Sequence, residues 1–239
     1  MNKIGTAVIL MIILARAVGA KEGPPSFGVG GAAMAGSGGY SKIALYGDGL
    51  WHAQNVDPYG WAEWSSDTFM RELALVGGVW KDLTEDLRVE GGGGLIFGRL
   101  KDAEASSEHS VLLETAMEKD FERSIAGLGY TLIAGSIVGP TELRAAEQPA
   151  GRSARGLSRT APEHLTYNEL SSYAKFPFGK TTPGFRLTLG LPSYSRSIIT
   201  ETLNCKIHVS QPFSITPAVS FEEGLTTNVY FSVSLYYLL

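Results

Sequence analysis

The clearest structural signal lies at residues 229–239, which read Val229-Tyr230-Phe231-Ser232-Val233-Ser234-Leu235-Tyr236-Tyr237-Leu238-Leu239. Every odd-numbered position in this stretch is apolar or aromatic, and most even-numbered positions are Ser or Tyr. Side chains of a β-strand alternate between its two faces. The stretch therefore predicts a strand with one apolar face and one polar face.

The same alternation recurs upstream. Apolar residues occupy every second position from Ile215 to Phe221 and from Phe185 to Leu191. The alternating segments run about 10–12 residues, longer than most soluble strands and close to the 9–11 residues that a tilted strand needs to cross a bilayer. Short connections alternate with longer ones, such as Asn55–Asp67 and Gly139–His164, as in membrane barrels. A soluble secreted β-sandwich is the alternative fold.

The predicted fold class is all-β, a transmembrane antiparallel up-and-down β-barrel of about ten strands, with eight or twelve as alternatives. An even number places both chain ends on the periplasmic side. The ten strands are expected at roughly 41–54, 68–80, 86–98, 109–119, 124–138, 165–177, 184–192, 197–209, 214–222 and 228–239. They form a β-barrel domain over residues 41–239.

The first twenty residues predict a cleaved secretory signal peptide. A basic start is followed by an apolar stretch, Ile4–Leu14, and by small residues up to Ala20. Eleven apolar residues are too few for a spanning helix. Residues 21–40 are a Gly/Ala-rich segment whose role the pattern leaves open, either a periplasmic tail or an extra turn that plugs the barrel mouth.

Composition narrows the function classes. The 239 residues carry a net charge of −4 without a Lys/Arg run, so nucleic acid is not an expected partner. The single Cys205 excludes a disulfide framework and a multi-cysteine zinc site. No spacing matches a metal or cofactor motif, so no metal and no cofactor are expected.

A secretory signal, alternating strands and an alternating final strand resemble the bacterial outer-membrane β-barrel superfamily. Phe231, Val233, Leu235 and Tyr237 fit that superfamily's C-terminal recognition strand, whereas Leu239 stands where a Phe or Trp is usual. The resemblance is to a general pattern and not to a specific family. It implies a location in the bacterial outer membrane, contact with its lipid and lipopolysaccharide, and assembly by the barrel assembly machinery. The oligomeric state stays open.

If the apolar face contacts lipid, the opposite face lines a charged lumen. The predicted lumen residues are Lys42, Asp48, Glu72, Arg88, Glu90, Glu114, Glu118, Arg186, Lys206 and His208. Unpaired buried charges are costly, so these groups must pair or be hydrated. The run Gly91–Gly94 predicts a thin wall, or a place where a large neighbour such as Tyr46 or Trp80 lies across it.

Polar residues at the outer loops are the remaining candidate sites. The candidates for extracellular loops are His52, His109, Arg144, Arg152, Arg155 and Arg159. The four arginines lie in the long Gly139–His164 connection and could contact lipopolysaccharide phosphates. His109 precedes Ser110, but neighbours on a strand point to opposite faces, so the two cannot form a catalytic pair there. No catalytic residue is assigned.

The favoured function is a non-enzymatic outer-membrane barrel, structural and surface-exposed, with a charged and plugged lumen. One alternative is a narrow, porin-like channel for ions or small solutes. The other is an outer-membrane enzyme that acts on lipid or peptide at the extracellular rim. Enzymatic activity is thus left open and is the less favoured interpretation.

Overall fold

The computed structural model describes residues 25–53, 56–101, 107–135, 165–193, 196–224 and 226–239. Within these ranges the chain forms a closed antiparallel barrel of twelve strands. The strands are β1 (Ser26–Gly36), β2 (Ser41–Leu50), β3 (Asp57–Asp67), β4 (Met70–Thr84), β5 (Leu87–Leu100), β6 (Ser107–Phe121), β7 (Ser124–Gly135), β8 (Leu165–Lys175), β9 (Thr181–Pro192), β10 (Ile198–His208), β11 (Phe213–Glu223) and β12 (Thr227–Leu238). A single 3-10 turn, Ser37–Gly39, joins β1 to β2.

Each strand pairs with the next one along the chain, and the first strand closes the barrel against the last. In that closing pair Gly28 lies opposite Leu238 and Gly36 lies opposite Tyr230. Closure removes the free sheet edges that would otherwise invite pairing with another chain. We call the end where β1 begins and β12 ends the terminal end, and the opposite end, where β7 stops and β8 starts, the loop end.

The outer face of the barrel is apolar and exposed. Leu45, Leu128 and Phe231 are 62%, 57% and 65% exposed, and they occupy outward positions on β2, β7 and β12. A water-soluble domain would bury such side chains, because large contiguous apolar patches are rare on soluble proteins. The outer face therefore matches a lipid environment, as the alternation predicted.

The barrel class is confirmed, but the described strands number twelve, which was an alternative count, and not the favoured ten. The two additional strands are β1 and β3. The barrel therefore begins at Ser26 and not at residue 41, and most of the Gly/Ala-rich segment is a wall strand. Alternation could not reveal β1, because most of its residues on both faces are Gly or Ala. Its inward glycines Gly28 and Gly30 lie beneath the rings of Tyr236 and Tyr46, where a Cβ atom would overlap those rings.

The second additional strand corrects a predicted loop. Asn55–Asp67 was expected to be a long outer connection, yet Asp57–Asp67 is β3. Asp, Pro and Gly in this segment are typical of turns. In addition, Tyr59 and Trp61 are aromatic on the inward face, so polarity does not alternate with the pleat.

Several predictions fall on residues outside the described ranges. The signal peptide at 1–20 lies there, as do Arg144, Arg152, Arg155 and Arg159. Within the described residues, no helix is long and apolar enough to cross a membrane.

Candidate functional site

The interior of the barrel is identified by contacts between strands that are not neighbours. The Tyr59 hydroxyl on β3 donates a 2.6 Å hydrogen bond to Glu114 Oε1 on β6, although β4 and β5 lie between these strands. Such a contact can only cross the concave side of the sheet. The residue pairing between neighbouring strands then shows which positions face inward on all the remaining strands.

The register places all ten residues predicted for the lumen at inward positions. They are Lys42, Asp48, Glu72, Arg88, Glu90, Glu114, Glu118, Arg186, Lys206 and His208. The reason is parity: a strand presents every second residue to the same face, so correct alternation places the polar set together. Which of these side chains meet across the interior depends on strand order and register.

Carboxylates concentrate on one half of the interior. Inward positions on β2 to β6 carry Asp48, Asp57, Glu63, Asp67, Glu72, Asp82, Glu90, Glu114, Glu118 and Asp120. We call this set the acidic wall. Two positively charged residues, Lys42 and Arg88, lie among these carboxylates. Lys42 Nζ lies 3.4 Å from Glu63, and Arg88 lies 3.5 Å from both Asp57 and Asp82.

Tyrosine hydroxyls hold three of these carboxylates in place. Besides the Tyr59–Glu114 bond, Tyr173 donates to Glu118 at 2.6 Å and Tyr236 donates to Asp48 at 3.1 Å. A hydrogen bond from a neutral hydroxyl stabilises a carboxylate without neutralising its charge. Tyrosine hydroxyls therefore hold three side chains of the acidic wall in fixed positions.

Cations lie on the other half of the interior. Lys175 on β8, Arg186 on β9 and Lys206 on β10 point inward. We call them the basic wall. The Arg186 guanidinium lies 5.5 Å from the Tyr173 ring centre, and Lys206 Nζ lies 5.5 Å from the Tyr236 ring centre. Among the described residues, neither Arg186 nor Lys206 forms an ion pair, whereas Lys175 contacts Glu118 at 3.3 Å.

The two walls face each other. In a closed barrel of twelve strands each strand lies opposite the strand six places further on, so β4 faces β10. The remaining inward positions of β10 to β12 are mostly small and polar, and Thr202 and Ser220 share a 2.9 Å hydrogen bond there. Near the loop end, two carboxylates are exceptions to this separation of acidic and basic halves. Glu169 accepts from Tyr167 at 3.2 Å, and Glu222 accepts from Tyr230 at 3.3 Å.

The terminal end of the barrel opens into an acidic recess of about 690 Å³. Its lining residues are Asp57, Asp82, Leu83, Thr84, Glu85, Asp86, Leu87, Arg88, Glu118, Asp120 and Ile125. Asp86 lies at the rim, in the turn between β4 and β5, and Lys119 Nζ on β6 lies 2.7 Å from it. Hydrogen bonds from Lys119 and then from Thr84 lower the pKa of the Asp86 carboxyl below its usual value. The ionised form of Asp86 is therefore favoured at this rim.

The two histidines proposed for extracellular loops lie at opposite ends. His109, near the start of β6, points outward at the loop end beside Phe97. His52 follows β2 at the terminal end, where its Nδ1 atom lies 3.4 Å from Asp57. Both cannot be extracellular, so placing His52 with His109 was wrong. The error follows from missing β1, because an added strand reverses the end at which the next connection falls.

His109 and Ser110 point to opposite faces of β6, and Ser110 is buried inside the barrel. In the described part of the chain, no group of three His, Cys, Asp or Glu side chains is placed to hold a metal ion.

Sequence reasoning missed the inward tyrosines that organise the charges. Parity could have found Tyr46 and Tyr236, which lie on strand faces already predicted to be polar. It could not have found Tyr173, because residues 165–177 do not alternate clearly in polarity. Tyr59 lay in an unrecognised strand. The large neighbour across the glycine run is Tyr59, whose hydroxyl lies over Gly92, and not Tyr46 or Trp80.

These features define the fold class as a closed β-barrel of the bacterial outer-membrane type. The barrel resembles the NanC porin (TM-score 0.62, 8% identity, covering 87% of this chain and 98% of that one). It resembles the KdgM porin in complex with disordered oligogalacturonate (0.57, 9%, 88% and 98%). It also resembles the CymD monoaromatic hydrocarbon channel (0.52, 9%, 96% and 91%). No family model and no curated protein matches the sequence.

Proposed function

We propose that this protein is a narrow channel of the bacterial outer membrane that passes small charged solutes and prefers cations. The observation that carries the proposal is the acidic wall on β2 to β6, which faces the three cations of the basic wall. Like-signed groups along a low-dielectric cleft concentrate counter-ions within it. Inward carboxylates outnumber inward cations among the described residues, and the recess at the terminal end is also mainly acidic.

The structural neighbours support a channel, but the solutes named for them do not fit the interior of this barrel. Oligogalacturonate, bound by the KdgM porin, carries one carboxylate per sugar, and the mainly acidic interior of this barrel would repel such a polyanion. A monoaromatic hydrocarbon, named for CymD, needs an apolar path, and this interior is lined by charged and hydroxyl groups. Small cations and zwitterions are therefore the proposed solutes.

Reversal potentials in a salt gradient across planar bilayers test the proposal. We expect wild-type channels to favour K⁺ over Cl⁻. The double variant Glu90→Gln/Glu114→Gln should lower this preference, and Arg186→Gln/Lys206→Gln should raise it. The matched control is Glu201→Gln, because Glu201 lies on β10 but faces outward between exposed Ile199 and Leu203.

The channel proposal fails if folded protein conducts nothing, or if the interior variants and the Glu201 control share the wild-type selectivity. Exchanging Arg88 and Arg186 for Ala is a further check, since one cation belongs to each half of the interior. Selectivity that is unchanged in that pair would also contradict the proposal.

A closed structural barrel is the second candidate. It is favoured by the Tyr59–Glu114 bond, which bridges non-adjacent strands across the interior. Twelve strands leave less room than the sixteen or eighteen of a wide aqueous porin. Absence of conductance together with a folded, membrane-inserted protein would support this candidate.

We further propose that the terminal end faces the periplasm. The connections 85–86 and 122–123 at that end contain two residues each, whereas residues 136–164 separate two strands at the loop end. Short periplasmic turns and long extracellular loops are typical of such barrels. Membrane fractionation with a heat-modifiability gel tests the location, and recovery as a soluble periplasmic protein would refute it. Assembly through the final strand by the barrel assembly machinery is part of the same proposal.

A further inference from the structure

Five inward positions near the terminal end form one row across neighbouring strands. Each residue of the row lies opposite the next, and from β2 to β10 they are Tyr46, Gly30, Tyr236, Ser214 and His208. The rings of Tyr46 and Tyr236 are nearly parallel, with their centres 6.4 Å apart and 16° between their planes. Gly30 lies beneath the Tyr46 ring, where a Cβ atom would overlap it. The row therefore places an aromatic surface beside a serine and a histidine.

The hydroxyl group of Ser214 is buried without a hydrogen-bond partner. Ser214 is 3% exposed, and its Oγ atom forms no hydrogen bond within the described ranges. Buried polar groups in folded proteins are almost always hydrogen-bonded, and one without a partner loses the bonds that it made to water. The side chain points into the barrel, where a bound solute can supply the missing acceptor. This hydroxyl is therefore an independent indication of a ligand.

Two opposite charges lie against Tyr236 without neutralising each other. Lys206 Nζ lies 5.5 Å from the ring centre, and in the part of the chain that the structure describes Lys206 forms no ion pair. Asp48 accepts a 3.1 Å hydrogen bond from the Tyr236 hydroxyl, and no cationic side chain among the described residues forms an ion pair with it. One tyrosine therefore contacts a cation at its ring and a carboxylate at its hydroxyl, and each is available to a charged solute.

We propose that this part of the interior binds a small zwitterion of the amino-acid class. The carboxylate of the zwitterion contacts Lys206, which turns towards it from the ring, and accepts a hydrogen bond from Ser214. The ammonium group contacts Asp48 and takes the place of Lys206 over the Tyr236 ring. A simple anion or a simple cation leaves one of the two side-chain charges without a partner. As a statement about transport, the inference rests on the proposed channel function, and it names the class of solute.

Saturation-transfer NMR on the folded protein in detergent tests the inference with three ligands that share a methyl group. L-alanine is the zwitterion, propionate lacks the ammonium group, and L-alaninamide lacks the carboxylate. Wild type should bind L-alanine about fivefold or more tightly than either analogue, because each analogue loses one charge-assisted contact.

Variants separate the contacts. Lys206→Met should bind L-alanine no better than wild type binds alaninamide. Asp48→Asn keeps an acceptor for the Tyr236 hydroxyl but loses the charge, and it should bind L-alanine no better than wild type binds propionate. Ser214→Ala should weaken binding of L-alanine and propionate but not of alaninamide. The control Lys180→Gln removes a positive charge from the exposed turn between β8 and β9 at the same end, and it should bind like wild type.

The inference is overturned if L-alanine binds no more tightly than the two analogues, or if Lys206→Met and Asp48→Asn bind it like wild type. It is also overturned if the Lys180 control loses as much affinity, or if Ser214→Ala weakens all three ligands equally. A heat-modifiability gel establishes that every variant is folded. Conductance is measured separately in planar bilayers. Cation-selective conductance without binding of L-alanine overturns this inference alone, whereas specific binding by a protein that does not conduct contradicts only the channel proposal.

Discussion

A comparison of Gly92→Ala with Gly91→Ala tests how the interior is organised. The two glycines are neighbours on β5 and face opposite sides of the sheet. A Cβ atom on Gly91 would meet no heavy atom within 4 Å, whereas one on Gly92 would overlap the Tyr59 hydroxyl. Neither glycine has a positive φ angle, so alanine is compatible with both backbones.

The expected magnitudes follow from the contact that each methyl group disturbs. Alanine in place of a strand glycine stabilises by about 0.5–1 kcal/mol, because the unfolded chain loses conformational freedom. Gly91→Ala should show this gain alone. In Gly92→Ala the Tyr59 ring must move, which breaks the 2.6 Å bond to Glu114. A hydrogen bond to a charged group contributes about 1.5–3 kcal/mol, so the net loss should be about 1–2 kcal/mol.

Urea unfolding in lipid vesicles, followed by tryptophan fluorescence, measures both variants. A double-mutant cycle with Tyr59→Phe isolates the cause, because phenylalanine lacks the hydroxyl that the new methyl group would displace. In the Tyr59→Phe background, Gly92→Ala should stabilise by about 0.5–1 kcal/mol, as Gly91→Ala does. The coupling between the two sites should therefore be about 1.5–3 kcal/mol.

Two outcomes would refute this reasoning. If Gly92→Ala is as stable as Gly91→Ala, the tyrosine does not rest on that glycine. If Gly92→Ala costs as much in the Tyr59→Phe background as in the wild-type background, the loss comes from backbone crowding, since the Gly77 carbonyl oxygen lies 3.2 Å from the same methyl position.

Two further predictions test which way side chains face. Trp64 lies opposite exposed Leu45 and Trp61 lies opposite Asp48. In variants that keep one tryptophan each, brominated lipid should quench the fluorescence of Trp64 and not that of Trp61. Equal quenching of the two would contradict the register. Cys205 is on the outer face of β10, so a charged maleimide should label it slowly in vesicles. Position 232 on β12 faces inward, so Ser232→Cys in a Cys205→Ser background should react quickly with the same reagent if the interior is hydrated. Labelling at equal rates would count against separate lipid-facing and hydrated surfaces.

Alternation alone was enough to predict the barrel class and the two faces of most strands. A strand has a period of two, so the positions of Arg88, Glu114 and Lys206 on one face can be read from local residues. The same reasoning could not find β1. The small residues of β1 do not alternate in polarity. Glycine is required at positions 28 and 30 only because Tyr236 and Tyr46, which lie on other strands, cover Gly28 and Gly30. That requirement exists only in the closed barrel.

Composition and local order therefore specify the outward apolar band and the polar identity of the inward set. Tertiary structure decides the strand number, the closure of β1 on β12, and the end to which each loop belongs. It also decides that the carboxylates of β2 to β6 face Arg186 and Lys206. The pairing of Tyr59 with Glu114 joins residues 55 positions apart in the chain. Such contacts depend on how the whole sheet curves back on itself, and no local pattern encodes that curvature.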